Sequence, residues 1–246
     1  MSVKKGDFIL IDYTAEVEEI GEVFDTTIDS VANERGFSKE NAVYEPILVI
    51  VGQGWVLKSL DDALPGLKEE ESSTITIPPE KAFGSRDPKK IRMLSIRSFR
   101  KKNVTPIPGM QLEIGGKSAT IRSVGAGRVQ VDFNPPLAGR TLKYDVKVKK
   151  IIEGNKEKLL ALIHRRLPSV KAEDFDLKIT KTKVIIEIPD SAFYVEGLQY
   201  VKRGIVNDIN KYFPNFKTVS FMETFKFTQN VADVKPQRQA SDQEDK

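Results

Sequence analysis

Residues 77–84 read Ile-Pro-Pro-Glu-Lys-Ala-Phe-Gly, and residues 137–146 read Leu-Ala-Gly-Arg-Thr-Leu-Lys-Tyr-Asp-Val. About fifty residues separate the two stretches, and they contain short alternating strands and glycine turns of their own. The two stretches therefore look like the flanks of one domain that a small β-rich domain interrupts. We predict an inserted domain over residues 85–134, within a first domain formed by residues 1–84 and 135–153.

The first domain has the pattern of an antiparallel sheet with one short helix. Alternating apolar residues predict five strands, over residues 8–17, 23–27, 47–51, 74–77 and 142–152. Apolar residues at helical spacing predict one amphipathic helix over residues 56–67, ended by Pro65-Gly66. Strands and helices do not alternate regularly along the chain, which favours the α+β class over a parallel α/β fold.

The inserted domain, residues 85–134, is predicted to be a meander of β-hairpins with glycine turns. A unit of this size has little room for a core, so some of its apolar side chains are expected to stay partly exposed. Exposed apolar patches usually mark binding surfaces. The residues expected to bind substrate here are Met93, Leu94, Ile96, Phe99 and Met110.

Residues 154–227 are predicted to form a separate C-terminal domain of αββαβ order, with helices over 156–167 and 195–213. Both helices carry an apolar face. The domain is either self-contained or buries part of this apolar surface in a homodimer. From residue 228 the chain is polar and shows no periodicity, which predicts a disordered tail over residues 228–246.

Composition excludes several kinds of site in this chain of 246 residues. Without cysteine, the protein has no disulfide, no thiolate nucleophile and no cysteine-based zinc site. His164 is the only histidine, which excludes a histidine-rich metal site, and we assign it no role. The net charge of +4 is too small to indicate a nucleic-acid partner. No apolar run approaches the roughly 18–20 residues of a membrane span, so a cytoplasmic location is expected.

A set of short motifs occurs in order along residues 1–153. They are Tyr13, Phe24-Asp25-Thr26, Val51-Gly52-Gln53-Gly54 with Val56-Leu57, residues 79–84, and Leu137-Ala138-Gly139 with Leu142 and Tyr144. With the insertion between Gly84 and Leu137, the set resembles the FKBP-type peptidyl-prolyl cis-trans isomerases, and among them the SlyD-like and long archaeal members. In these, an insert-in-flap chaperone domain interrupts the FKBP domain, and the long archaeal members carry a C-terminal domain.

The resemblance implies an enzyme that accelerates rotation about Xaa-Pro bonds in unfolded or partly folded polypeptides, with chaperone activity from the insert. This rotation breaks no covalent bond, and its barrier is about 18–20 kcal/mol. A dry apolar pocket disfavours the charge-separated planar amide, and fixed hydrogen bonds assist the twisted form. Such an enzyme requires no nucleophile, metal or cofactor. The resemblance also favours the homodimer.

The family's site residues fall on positions spread across the first domain. The catalytic residues that the resemblance implies are Tyr13, Phe24, Asp25, Leu57, Phe83 and Tyr144. The Tyr13 hydroxyl would donate to Asp25 near the rotating amide, and the backbone N–H of Leu57 would bind the substrate carbonyl. The further residues expected to line the pocket are Ile47, Val49, Val56 and Leu60.

Two other functions stay open at this point. Phe83 stands where many relatives have tyrosine, and Leu60 where the best-known small members have tryptophan. These departures leave room for a non-enzymatic holdase chaperone with a degenerate pocket. The basic run over residues 97–102 leaves room for a nucleic-acid or ribosome-associated module.

Overall fold

The computed structural model describes residues 1–36, 38 and 42–225. The chain divides into two compact units, the first over Met1–Ala172 and the second from Glu173 onward. Mainly antiparallel sheets with few helices make up the described structure, which confirms the predicted α+β class. The predicted tail over residues 228–246 lies outside the described residues.

The first unit is mostly strand. Its strands are β1 Phe8–Val17, β2 Glu22–Thr26, β3 Ile47–Ile50, β4 Ser72–Ile77, β5 Ile91–Ser95, β6 Gln111–Ile114, β7 Lys117–Gly125, β8 Arg128–Asp132 and β9 Leu142–Ile152. Its helices are α1 Asp29–Glu34, α2 Lys58–Ala63, α3 Ile96–Arg100 and α4 Asn155–Arg166. None of the helices in the described ranges is both long enough and apolar enough to cross a membrane.

The larger sheet of this unit is built around β1. Strand β9 pairs with the whole length of β1 on one side, from Phe8 opposite Ile152 to Val17 opposite Leu142. On the other side, β3 pairs with the first half of β1 and β2 with the second half. Strand β4 adds to the outer edge of β9, and every pairing is antiparallel. Helix α2 packs Leu60 into the buried face of this sheet.

The insert forms a second antiparallel sheet of four strands in the order β5-β8-β7-β6. Its buried core consists of Phe99 from α3 and four strand residues, namely Ala119, Ile121, Val129 and Val131. We expected Phe99 to stay partly exposed, and that expectation is wrong. The short helix α3 turns the ring into the sheet, where it is 4% exposed.

The second unit contains β10 Asp176–Ile179, β11 Lys183–Ile188, α5 Leu198–Tyr212 and β12 Thr218–Glu223. Strands β10 and β11 form an antiparallel hairpin, whereas β11 and β12 run parallel. Parallel neighbours need a crossover connection, and α5 supplies it. Together with α4 the order along the chain is αββαβ, although contacts place α4 in the first unit. The predicted domain boundary at residue 154 stays a prediction.

Two predicted helices are shorter than the apolar spacing indicates. The helix expected over residues 56–67 covers Lys58–Ala63, because the Leu57 backbone is extended at φ −51° and ψ 136°. The helix expected over residues 195–213 begins only at Leu198, because Gly197 is left-handed at φ 75°. Val56 and Leu57 therefore lie in the segment that leads into α2, and their N–H groups stay outside the helix.

His164 is half-buried on α4 and connects separate parts of the first unit. Its Nε2 lies 2.6 Å from Glu45 Oε1, and its Nδ1 lies 2.8 Å from the carbonyl oxygen of Val170. Helix α4 also packs against β3. These contacts explain the histidine as part of the packing of the helix.

Candidate functional site

Three aromatic side chains meet on one face of the larger sheet; we call Tyr13, Phe24 and Tyr144 the aromatic cluster. The Tyr13 and Tyr144 rings lie 5.8 Å apart between centroids and are tilted by 45°. Phe24 and Tyr144 lie 6.1 Å apart, edge to face at 83°. Such tilted and edge-to-face pairs are the favourable arrangements for aromatic rings. The structure therefore brings together residues that lie as far apart as 131 positions in the chain.

Strand register explains how the cluster forms. Ala15 on β1 lies opposite Asp25 on β2 and opposite Tyr144 on β9, and Tyr13 points to the same face two residues away. The register between β1 and β2 shifts between Ala15 and Glu16. A bulge places two consecutive residues against one partner residue. Both Phe24 and Asp25 can therefore contact the tyrosine pair instead of alternating across the sheet.

The polar contact of the cluster is a short hydrogen bond. The Tyr13 hydroxyl donates to Asp25 Oδ2 at 2.6 Å. Burial, followed by the hydrogen bond to Asp25 and its charge, raises the pKa of Tyr13 above its ordinary value. Burial and then the Asp25 charge raise the pKa of Tyr144 to about 12. Both hydroxyls therefore remain protonated at neutral pH and are able to donate hydrogen bonds.

Two threonines to which the sequence assigned no role, Thr26 and Thr27, hold the Tyr13 main chain. Thr26 Oγ1 donates to the Tyr13 carbonyl at 2.9 Å, and the Tyr13 N–H donates to Thr27 Oγ1 at 2.9 Å. Both threonines are 6% exposed. In the sequence, their position directly after Phe24-Asp25 was the one sign of a role. Their partner, the Tyr13 main chain, follows only from the pairing of β1 with β2. The two hydroxyls fix the backbone that carries the tyrosine.

A second wall comes from β3, α2 and the segment before α2. Ile47, Val56 and Leu57 are half-buried and pack against the same core as Tyr144. Val49 and Leu60 are 0% and 1% exposed. A ligand at the surface would contact the three half-buried residues, while Val49 and Leu60 support the wall from beneath.

The segment before α2 is tied down by Asp61, a further residue missed from the sequence. This carboxylate is 4% exposed. Its Oδ1 accepts the Gly52 N–H at 2.7 Å, and its Oδ2 accepts the Gly54 N–H at 2.9 Å. Both glycines have positive φ, which admits few other residues. The carboxylate therefore fixes the turn that leads to Val56 and Leu57.

The Leu57 N–H has no acceptor within the part of the chain that the structure describes. Its carbonyl, by contrast, accepts the Asp61 N–H at 2.9 Å. A backbone donor at the end of a fixed turn, in a segment that packs against the same core as Tyr144, suits the carbonyl of a bound peptide. The absence of an intramolecular partner means that such a bond would replace only a bond to water.

Phe83 is placed differently from the other predicted catalytic residues. It follows the 3₁₀ turn Pro79–Lys81 and is 42% exposed. Its neighbour Ala82, and not Phe83, packs against the core of the larger sheet. The structure thus leaves Phe83 at the surface, outside the aromatic cluster.

The residues expected to bind substrate on the insert do not form one surface. Neighbouring residues of a strand point to opposite faces. Leu94 lies opposite the buried Val129, whereas Met93 lies opposite Gln130 on the other face and is 54% exposed. Met110 is 38% exposed, Ile96 is half-buried, and Phe99 belongs to the core, so a ligand on the surface does not reach it.

A buried carboxylate joins the two chain segments that connect the insert to the larger sheet. Asp132 is 1% exposed and accepts hydrogen bonds from Arg86 at 2.6 Å, Arg122 at 3.0 Å and Asn134 at 2.7 Å. Burial by itself would raise the pKa of Asp132, but the bonds from Asn134, Arg122 and Arg86 lower it to about 2. We call Arg86, Arg122, Asp132 and Asn134 the hinge network.

Titratable side chains elsewhere in the described ranges do not gather into a metal site. No group of three or more His, Asp or Glu residues within these ranges is arranged to hold a metal ion. The polar groups of the site are one hydrogen-bonded carboxylate, two protonated phenols and a free backbone N–H. These groups can orient a peptide through hydrogen bonds, and the rings of the aromatic cluster offer it apolar contact.

Three models of known protein families match successive parts of the chain. The model of the FKBP-type peptidyl-prolyl cis-trans isomerase family matches residues 1–100. The model of the FKBP26 IF domain matches residues 92–137, and that of the FKBP26 C-terminal domain matches residues 155–226.

Individual relatives agree with these matches. The chain is 38% identical over 149 residues to the short-type peptidyl-prolyl cis-trans isomerase of Methanocaldococcus jannaschii, covering 61% of this chain and 94% of the relative. It is 32% identical over 124 residues to the SlyD isomerase of Treponema pallidum, covering 49% and 70%. The FKBP-type 16 kDa isomerase of Escherichia coli is 28% identical over 154 residues, covering 61% and 94%.

Proposed function

The chain belongs to the family of FKBP-type peptidyl-prolyl cis-trans isomerases, and we propose that it isomerises Xaa-Pro bonds in folding polypeptides that the insert captures. The observation that carries the isomerase site is the aromatic cluster with its Tyr13–Asp25 hydrogen bond. The Leu57 segment, which packs against the same core, supports it. We propose the same division of the chain into domains that the sequence predicts.

Rate acceleration would follow from desolvation and orientation. A proline ring placed among Tyr13, Phe24, Tyr144 and Val56 removes water from the amide that rotates. The planar amide owes stability to a charge-separated form that water favours, so a dry pocket raises its free energy relative to the twisted form. The Leu57 N–H would hold the preceding carbonyl, and the Tyr13–Asp25 pair would present fixed dipoles to the twisting bond. No covalent intermediate is formed.

The test of the pocket is a proline-isomerisation assay on an unstructured tetrapeptide. We expect the wild type to accelerate rotation and Phe24→Ala and Asp25→Ala each to lose activity on the order of tenfold or more. Tyr200→Ala is the matched control, because this tyrosine is 84% exposed on the second unit. If Phe24→Ala retains full activity, the aromatic cluster is not the site.

Division of labour between pocket and insert would explain why an insertion is kept. The Gly139 N–H donates to the Gly84 carbonyl at 2.8 Å, so the two ends of the insertion adjoin each other. Removing residues 86–133 takes out Arg86, Arg122 and Asp132 together and leaves none of these charges unpaired. We expect this deletion to spare turnover of the tetrapeptide but to slow the proline-limited refolding of a protein substrate strongly. Equal loss on both substrates would refute the division.

The alternative is a holdase chaperone without isomerase activity, and the exposure of Phe83 is the observation that favours it. The tetrapeptide assay separates the two functions. No acceleration at micromolar protein, combined with suppressed aggregation of an unfolded substrate, would establish the holdase.

Location and assembly are further proposals. We propose a cytoplasmic protein that forms a homodimer through residues 154–227, which would place two pockets and two inserts in one particle. Sedimentation of the chain with and without residues 154–246 decides the second point, since only the longer form should dimerise.

A further inference from the structure

Positive charge is concentrated in the insert, although the whole chain has a net charge of only +4. Residues 85–134 contain eleven Lys or Arg against three Asp or Glu, a net charge of +8. The remaining residues therefore carry a net charge of −4. A field of this sign and local strength acts on whatever approaches the insert.

The three acidic residues of the insert do not neutralise its surface. Asp132 is buried in the hinge network between two arginines. Asp87 lies beside it, where its N–H donates to Asn134 Oδ1 and its carbonyl accepts from Asn134. Glu113 is exposed on β6 opposite Ser118. Among residues 85–134, Glu113 is thus the one exposed acidic side chain, against eleven Lys or Arg.

The two faces of the insert sheet differ in character, as its register shows. One face carries the buried residues Val129 and Val131, and α3 lies on it through Phe99. We call this the covered face. Directly opposite residues of an antiparallel pair share a face. Glu113 alternates with the covered-face residues Leu112 and Ile114, so it points to the other side.

Apolar side chains remain partly accessible around the margin of the covered face. They are half-buried against the insert core and comprise Leu94, Ile96, Leu112, Ile114 and Val124. The core beneath them contains only five buried residues, so it does not close over them. This margin, together with α3, forms what we call the capture surface.

The charges that border the capture surface are positive. Arg92 lies opposite Val131, and Lys117 lies opposite Ile114, which places both on the covered face. Helix α3 adds the exposed Arg97 and Arg100 beside the inward-facing Phe99. Lys101 and Lys102 follow and are exposed as well.

We propose that the capture surface binds polypeptide segments in which apolar side chains are flanked by Asp or Glu. This inference rests on the proposed chaperone role of the insert and adds the class of client. Apolar contact supplies the non-directional part of the affinity, and complementary charge selects the partner and speeds the encounter. Clients rich in Lys or Arg are repelled by the same field.

The alternative partner with negative charge, single-stranded nucleic acid, fits the surface less well. Binding of single strands combines a positive groove with exposed aromatic rings on which bases stack. Residues 85–134 contain two aromatic residues, and Phe99 is buried. Phe133 is half-buried under the Arg92 guanidinium, 5.7 Å from its ring centroid. A stacking platform is therefore missing from this basic surface.

The experiment compares two unstructured, proline-free peptides on the full chain. Both contain the same apolar residues. The remaining positions are all glutamate in one peptide and all lysine in the other. We expect the glutamate peptide to bind on the order of tenfold tighter at low salt, because several exposed charge pairs contribute together. High salt should reduce this preference, since the charges are exposed and screened.

Charge variants locate the effect. Arg97→Gln, Arg100→Gln and Lys101→Gln combined should remove most of the preference for the glutamate peptide. The matched control changes the same number of charges on the second unit, with Lys178→Gln, Lys181→Gln and Arg203→Gln, all exposed there. The control should keep the preference. Equal responses of the two triple variants would overturn the proposal.

Other outcomes separate this inference from the proposed function. If the two peptides bind equally while deletion of residues 86–133 still slows refolding, the charge preference is refuted and the chaperone role stands. If the deletion leaves refolding unchanged, the chaperone role itself fails. Tighter binding of a single-stranded RNA than of the glutamate peptide, with a steep salt dependence, would assign the surface to nucleic acid instead.

Discussion

The larger sheet and the insert sheet are both antiparallel, and each packs a short helix on one face. The two faces differ in how much apolar surface they bury. In the larger sheet, fourteen buried residues form a core that includes Tyr144, and Tyr13 packs against it. Burial raises the pKa of both tyrosines. The hydrophobic core of the insert contains only five buried residues, and apolar and basic side chains remain at the surface. A large core can hold a dry, fixed site, whereas a small core leaves a surface that accepts many chains.

The polar groups of the two regions follow the same division. In the larger sheet and its helix, Asp25 accepts one hydrogen bond from a hydroxyl, and Asp61 accepts two from backbone N–H groups. In the insert, Asp132 accepts from two guanidinium groups and stabilises the junction with the larger sheet. Four experiments test this contrast, and we order them by the expected size of the effect.

The largest effect is expected from Asp132→Ala. This change removes the shared acceptor of Arg86, Arg122 and Asn134. We expect a loss of about 2–4 kcal/mol in the free energy of unfolding, below the loss for a fully buried pair because both arginines are more than one third exposed. Denaturant unfolding measures it, with Asp62→Ala as the exposed control. An unchanged midpoint would show that the hinge network does not stabilise the fold.

Extremes of pH should act on the two regions separately. The pKa of Asp132 is lowered to about 2, so the stabilisation it provides is present above its ordinary pKa and is lost as the pH falls from about 4 to 2. The pKa of Tyr144 is raised to about 12, so its stabilisation is present below pH 10 and is lost as the pH rises from about 10 to 12.

Melting temperature measured against pH tests this assignment with two variants. Asp132→Asn should flatten the acid side of the profile relative to the wild type and leave the alkaline side unchanged. Tyr144→Phe should do the reverse. If either variant alters the opposite side of the profile, the two regions are not titrating independently.

Asp61→Asn should affect turnover more than stability. The amide keeps one acceptor oxygen but presents an NH₂ group to a backbone N–H, so the turn from Gly52 to Gly54 loses one tie. We expect kcat/KM on the tetrapeptide to fall on the order of tenfold through misplacement of Leu57. Asp62→Asn, which changes an exposed neighbour, serves as the control. A fall in stability without a fall in kcat/KM would leave Asp61 with a structural role only.

The smallest effect is expected from Phe83→Tyr. Since Phe83 is 42% exposed, an added hydroxyl would be solvated, and we expect kcat/KM to change by no more than about twofold. The same tetrapeptide assay measures it. A rise in kcat/KM of more than about tenfold would show that the missing hydroxyl limits the reaction. It would mean that Phe83 weakens the site.

Much of the strand framework could be predicted from the sequence. The bounds of β1 and β9 agree with their apolar alternation because each strand has one face that is buried along most of its length. The insertion and the αββαβ order could also be predicted, because strands and helices differ in the spacing of their apolar residues. The buried position of Phe99 was not, because a five-residue helix is too short to show a periodic apolar face.

Roles that depend on distant partners escaped prediction. Thr26, Thr27 and Asp61 looked like ordinary turn and helix residues, and their partners appear only when β1 pairs with β2 and α2 packs beside the glycine turn. Met93 and Leu94, both expected to bind substrate, face opposite sides of the sheet, and their role in binding stays a prediction. The net charge of residues 85–134, by contrast, can be counted from the sequence alone, and this count identifies the insert as basic.

The sequence by itself determined the element types, the insertion and the residues that carry the family resemblance, because periodicity and short motifs are local properties of the chain. Only the tertiary structure decided which of these residues meet. A bulge opposite Ala15 directs Phe24 and Asp25 to the same tyrosine pair, and a buried Asp132 joins segments 46 residues apart. Such contacts depend on register and on long-range pairing, which local pattern does not specify.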